Sequence, residues 1–177
     1  MPRLFTGLAV PAAVAEALSH LRGGLPGARW VDPADYHVTL SFIGDIDEIL
    51  ADDIAEALAE VQKPAFTVAL TGLGSFGGAK PRSVHAVVAP SPALIELQAA
   101  QEAVLRRVSA PLDSRQFRPH VTLARLGRDA TAARTAEWLS LREGDRLTFE
   151  ADALILYSSR ASSGGGPYLV EAAYPLG

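Results

Sequence analysis

The tetrapeptide His-Val-Thr-Leu stands twice in this chain, at His37–Leu40 and at His120–Leu123. The matches extend outward, to YHVTLSFIG at 36–44 and PHVTLARLG at 119–127, with a glycine at the same offset from each histidine. Histidine titrates near neutrality, so of two imidazoles one can begin neutral, as a base, and the other protonated, as an acid. That pairing suits in-line displacement at phosphorus. One histidine removes a proton from the attacking water, and the other, across the phosphorus, protonates the departing oxygen. The hydroxyls of Thr39 and Thr122 can donate to the non-bridging oxygens. A lone histidine on a strand is commonly structural; two in a repeated His-x-Thr context point to catalysis.

The competing use of two histidines is a metal site, which wants a third protein ligand. The chain has no cysteine. Asp35, two residues before His37, shares its strand face and is the best rival ligand. The second copy carries Arg118 at that offset, which repels a cation. We therefore expect no metal and no cofactor. The copies also differ five residues after the histidine, where the first has Phe42 and the second Arg125. A planar guanidinium fork matches phosphate. On a regular strand Arg125 faces away from His120, so its use requires a bulge or bend near the strand end. Phe42 reads as core.

The elements that hold these residues follow from periodicity and punctuation. Each motif is a short run of β-branched and apolar residues between turn formers, Pro33 and Gly44 for the first, Pro119 and Gly127 for the second. Alternation then gives each strand a polar His/Thr face and an apolar face for the core. The wider reading is strand 3–10, helix 11–22, strand 35–43, helix 46–62, strand 65–72, strand 82–89, helix 92–109, strand 117–126, helix 130–140, strand 146–157 and strand 167–174. Ser91 followed by Pro92 starts a helix, and Asp45 and Asp129 can cap the helices after each motif. The repeated context of helix, motif strand, glycine, acidic cap and helix points to an internal duplication with the histidines 83 positions apart. Neighbouring strands occur alongside β-α alternation, which favours an α+β fold with antiparallel sheets and outer helices.

One motif misleads. Residues 72–77, GLGSFG, match a dinucleotide fingerprint, but no helix follows to receive a pyrophosphate; a hairpin loop is the better account, with Lys80 or Arg82 near a ligand. The Gly/Ser-rich stretch at 161–167 reads as a connection between two strands.

Composition bounds the rest. At 177 residues, 49% hydrophobic and 20% charged, the chain reads as one globular domain over 1–177. The N-terminal MPRLFTGLAV reads as a first strand rather than a signal segment, and no stretch approaches a membrane span of roughly 20 apolar residues. A cytoplasmic location, no membrane partner and a monomer are the expectations. The net charge of −4 argues against a broad nucleic-acid surface. Six of the 16 basic residues nevertheless fall between Arg106 and Arg128 and bracket the second motif, which suits an anionic substrate.

Paired H-x-T-x motifs about 80 residues apart resemble those of the 2H phosphoesterases. RLFTGL at 3–8, Trp30, the loop at 76–82, FRPHVTLAR at 117–125, LYSS at 156–159 and YLVEAAYPL at the end resemble in particular the RNA 2′,3′-cyclic phosphodiesterases, also called 2′-5′ RNA ligases. The resemblance covers nearly the whole chain. It implies a bilobal α+β fold, two antiparallel sheets around a cleft with a pseudo-two-fold duplication, and no metal. It implies His37 as proton donor, His120 as proton acceptor, and Thr39, Thr122 and Arg125 as ligands of the substrate phosphate. The implied reaction opens RNA 2′,3′-cyclic phosphate termini to 2′-phosphate. Alternatives are a 2H phosphodiesterase acting on 2′-5′ oligonucleotides, small cyclic nucleotides or ADP-ribose 1″,2″-cyclic phosphate, or a non-catalytic RNA-end-binding module. His85 stands where such proteins often carry an aromatic residue, which leaves base stacking open.

Overall fold

Alternating apolar residues build nine strands among the described residues, and Ala/Leu-rich runs build four helices, three of them behind a polar cap. The computed structural model describes residues 2–142, 146–159 and 167–177; most of the Gly/Ser stretch, 161–166, lies outside the described residues. In chain order the elements are β1 (Arg3–Ala9), α1 (Ala12–Ser19), β2 (Ala28–Trp30), a short 3-10 turn (Pro33–Asp35), β3 (His37–Asp45), α2 (Glu48–Leu58), β4 (Phe66–Phe76), β5 (Ser83–Val88), α3 (Pro92–Arg107), β6 (His120–Leu126), α4 (Ala132–Ser140), β7 (Leu147–Ala151), β8 (Ala153–Ser159) and β9 (Tyr168–Pro175).

The strands pair antiparallel in the order β7-β4-β5-β6-β3-β1-β8-β9, with β2 added to β6. The two motif strands β3 and β6 meet at the centre through one ladder pair, Val38 opposite Val121. On one side lie β3, β1, β8 and β9 and on the other β6, β5, β4 and β7 together with β2, so the two expected sheets are halves of one sheet that touch at a single step. The halves are related by duplication with a twist. The β4 strand, at the end of the first repeat, crosses to pair with β5, the first strand of the second repeat. The β8 strand returns the exchange by pairing with β1.

The apolar faces of the motif strands, Val38, Leu40, Val121 and Leu123, share one core with Ile54 of α2, Leu97 of α3 and Trp138 of α4. Each is at most 4% exposed, and burying such a side chain contributes about 1.5–3 kcal/mol. That core fixes which face of each motif looks outward.

Several local expectations hold and several shift. Ser91 caps α3, its hydroxyl accepting from Leu94 N at 3.3 Å, with Pro92 at the first turn. The caps of α2 and α4 are Asp47 and Thr131, two residues later than Asp45 and Asp129. The reason for the first shift is that β3 continues through Asp45, whose carboxylate pairs with Arg3 at 3.0 Å. The expected strand at 146–157 is two strands, β7 and β8, parted at Asp152 and belonging to opposite halves. Most of GLGSFG lies inside β4; the hairpin turn comes after it, closed by Lys80 N to Gly77 O at 3.0 Å and Arg82 N to Phe76 O at 2.8 Å. The three-residue β2 was not foreseen.

Candidate active site

The Val38–Val121 pair sets the cleft. In an antiparallel register that joins these two residues, His37 falls against Thr122 and Thr39 against His120, on the face opposite the buried valines. The four side chains of the repeated motif therefore share one face, each half-buried. Both imidazoles are fixed in the same way. The Nδ1 of His37 donates to the carbonyl of Asp35 at 2.8 Å, and that of His120 to the carbonyl of Arg118 at 2.7 Å. A carbonyl can only accept, so the proton sits on Nδ1, and Nε2 is left as the nitrogen that gives or takes a proton. At His37 the Thr39 hydroxyl bonds that Nε2 at 2.9 Å.

This geometry explains how positions 35 and 118 can differ in charge: it is their backbone oxygen that serves the site. The Asp35 carboxylate is used elsewhere, accepting from Tyr168 N at 3.3 Å. Among the described residues no three His, Asp or Glu side chains gather into a metal-binding group.

Arg125 is brought round by a bulge. On β6, Thr122 lies opposite His85 and Ala124 opposite Val84, so Leu123 is an extra residue in the strand. One extra residue inverts the alternation of side chains. Ala124 is buried and Arg125 exposed, on the face of His120 and Thr122. Arg125 acts on His37, His120 and Tyr168 at once: it lowers the pKa of both imidazoles and hydrogen-bonds the Tyr168 hydroxyl. The first motif has the same bulge. Gly7 faces Thr39 and Thr6 faces Ser41, which leaves Leu40 extra. Phe42 is thus turned outward like Arg125 and is 42% exposed, which corrects the expectation that it belongs to the core.

Each bulge has its own support. The carbonyl of Leu123 accepts from Val31 N at 2.9 Å. The bulge at Leu40 is held by α3: Gln98 Nε2 donates to Leu40 O at 3.4 Å, and Gln101, fully buried, donates to the Ser41 hydroxyl at 2.5 Å and accepts from Thr6 Oγ1 at 2.8 Å. Thr6 Oγ1 in turn accepts from Ser41 N at 3.1 Å.

Rings pack behind both histidines. His37 lies against Phe5, Tyr157 and Tyr168 at centroid distances of 5.0, 5.5 and 5.1 Å. His120 meets Phe76 edge-on at 4.8 Å and His85 at 5.1 Å, and His85 stacks on Phe76 at 4.2 Å. His85 is buried and fills the place of an aromatic ring. Gly74 makes room for it, since a Cβ there would come within 2.9 Å of its Nε2. The Tyr157, Tyr168 and Phe76 contacts escaped sequence reasoning, because single aromatic residues far from the motifs carry no spacing signal.

Burial dominates the electrostatics. It pushes His37 down to about 4, against the pull of its bond to the Asp35 carbonyl, with His120 and Arg125 adding to the fall. His120 is lowered for the same first reason, with Arg125 contributing. His85 is also held down to about 4 by burial, and burial pushes the Tyr157 hydroxyl up to about 12. An anion in the cleft opposes the fall at both motif histidines.

The arginine cluster divides. Arg106 pairs with Glu102, Arg107 with Glu60 and Arg115 with Asp113, all at the surface, where solvent screening leaves such pairs weak. Arg118 gives its carbonyl to His120, and Arg125 faces the cleft. No described helix is long and apolar enough to cross a membrane.

The chain is similar to proteins on both levels. It is 31% identical over 185 residues to an RNA 2′,3′-cyclic phosphodiesterase of Geobacillus stearothermophilus, covering 99% of this chain and 58% of that protein, so it spans less than two thirds of that relative's length. It is 32% identical to an RNA 2′,3′-cyclic phosphodiesterase of Aquifex aeolicus over 84% of this chain and 82% of that one. The crystal structure of E. coli LigT complexed with 3′-AMP shares the fold, with a TM-score of 0.82 at 24% identity over 99% of both chains. Residues 10–162 match the sequence profile of the 2′-5′ RNA ligase superfamily. With two His-x-Thr strands joined edge to edge at the centre of one sheet and a profile match over most of its length, the chain belongs to the 2′-5′ RNA ligase superfamily.

Proposed function

We propose that the protein is a phosphodiesterase that opens RNA 2′,3′-cyclic phosphate ends to 2′-phosphate ends, as a monomer in the cytoplasm, by acid–base catalysis between His37 and His120 without a metal. The observation that carries this reading is the matched pair of imidazoles, each pinned through Nδ1 to the carbonyl two residues before it. Nε2 of each then serves the cleft from one half of the sheet. The names of the Geobacillus and Aquifex relatives agree with it.

His120 Nε2 takes a proton from water as the water oxygen bonds to phosphorus. The bond from phosphorus to the ribose 3′ oxygen breaks, and that oxygen takes the proton carried by His37 Nε2. The product has a 2′-phosphate and a 3′-hydroxyl; His37 ends neutral and His120 protonated, and exchange with solvent resets both. Thr39, Thr122 and Arg125 hold the non-bridging oxygens, where charge accumulates. The negative phosphate favours the protonated form of His37, which burial alone disfavours.

The test uses a trinucleotide ending in a cyclic phosphate. His37→Ala and His120→Ala should each lower kcat by at least about 100-fold, with the double variant well short of the product of the two. Phosphorus NMR should identify a 2′-phosphate product, and dialysis against a chelator should leave the rate unchanged. A near wild-type rate in either single variant excludes the two-histidine mechanism. A 3′-phosphate product excludes the stated polarity, and loss on chelation that zinc or manganese restores excludes the metal-free reaction.

A further inference from the structure

Among the described residues, the half of the sheet that carries His120 has a strand with no counterpart in the other half. This is β2, which pairs with the outer part of β6 and sets Arg29 directly opposite Arg125. Directly opposed residues of an antiparallel pair project to the same face, their Cβ atoms about 4.5–5.5 Å apart, and like charges placed so are destabilising. The orientation of β2 has a second witness. Trp30 turns to the helix side, its ring 5.7 Å from that of Trp138 in α4. Its neighbour Arg29 therefore turns to the cleft side. Arg29 is exposed, and none of the ion pairs among the described residues engages it.

Two arginines thus stand at directly opposed positions on the cleft side, in a chain whose net charge is −4. A register that opposes two cations is relieved when anions occupy both. The position has a direction as well. The residues after Arg29 lead through the 3-10 turn into His37, so β2 lies at the His37 end. If His37 protonates the departing ribose oxygen, the nucleoside lies on that side of the phosphorus. The phosphodiester on its 5′ oxygen then continues outward past Arg125.

We propose that Arg29 forms a second phosphate subsite, which binds the phosphodiester group next to the cyclic end and so favours oligonucleotide ends over mononucleotides. This rests on the proposed function. The test compares Arg29→Gln with the wild type on a cyclic-phosphate trinucleotide and on 2′,3′-cyclic AMP. The variant should lose roughly ten-fold in kcat/KM on the trinucleotide, the scale of one charge-assisted contact, and stay within about two-fold on the mononucleotide. The salt dependence of log KM for the trinucleotide should fall in slope by about 0.7, the value for one phosphate contact on a single strand. Equal losses on both substrates overturn the subsite, because Arg29 then acts on the reacting phosphate or through the fold. No loss on either substrate also overturns it. Wild-type protein that hydrolyses neither substrate overturns the proposed function itself.

Discussion

Arg125 reaches the cleft only because Leu123 is an extra residue in β6, and its planar fork is held by Tyr168 on one side while its charge is felt at both histidines on the other. Replacing it with lysine keeps the charge and loses the fork, so Arg125→Lys should lower kcat/KM far more than Arg128→Lys, by roughly ten-fold or more. The reverse order in steady-state kinetics would transfer the phosphate role to Arg128. The histidines give a second expectation. The base must be neutral, so activity falls below its pKa; the acid must be protonated, so activity falls above its pKa. Burial holds His37 down to about 4 and His120 below its ordinary 6.5. The bell of kcat/KM should therefore peak on the acid side of 6.5, whereas the bell of kcat, which reports the complex, should move alkaline as the phosphate raises both groups. Coincident optima in profiles from pH 4 to 9 would contradict the burial argument. The four motif residues were legible because the chain repeats them. Phe42 was misread and Arg125 left conditional for one reason: sequence alternation is blind to a one-residue bulge.

The bulge on β3 is held from outside the strand, by a helix of the other repeat. Gln101 of α3 is fully buried and joins Thr6 of β1 to Ser41 of β3. Gln101→Leu leaves both hydroxyls short of a partner in the interior, and should cost about 1–3 kcal/mol in urea unfolding. Because Thr39 stands beside the bulge, kcat should fall as well. Gln98→Leu, which removes the 3.4 Å bond to Leu40 O and the 2.8 Å bond to Glu102 but leaves Thr6 and Ser41 joined, should cost less, about 1 kcal/mol. Equal effects would show that the network does not hold the strand. Helices and long strands were legible because their periods run for many residues. The β2 strand has three residues and no period to read, and the boundary between β7 and β8 is set by which half each joins.

At the scale of the molecule, fold class and duplication were legible and the connectivity was not, because pairing between distant strands leaves no local mark. Among the described residues the β4 strand pairs only with β5 and β7, and β8 only with β1 and β9. Cutting the chain in the turn between β4 and β5 should give two pieces that lack native circular dichroism alone and regain it on mixing. Autonomous folding of either piece would refute this. The exchanged strands also speak to history. One repeat taken alone would carry a third strand with no seat in its own body, which a second copy could take. Two copies trading that strand form a symmetric dimer, with one His-x-Thr strand from each subunit at the shared axis. In such a dimer the two imidazoles beside the axis would be one residue of the sequence, present in two chains. Joined in one polypeptide the two repeats are free to differ, and after the bulges they do, with Phe42 in the first and Arg125 in the second.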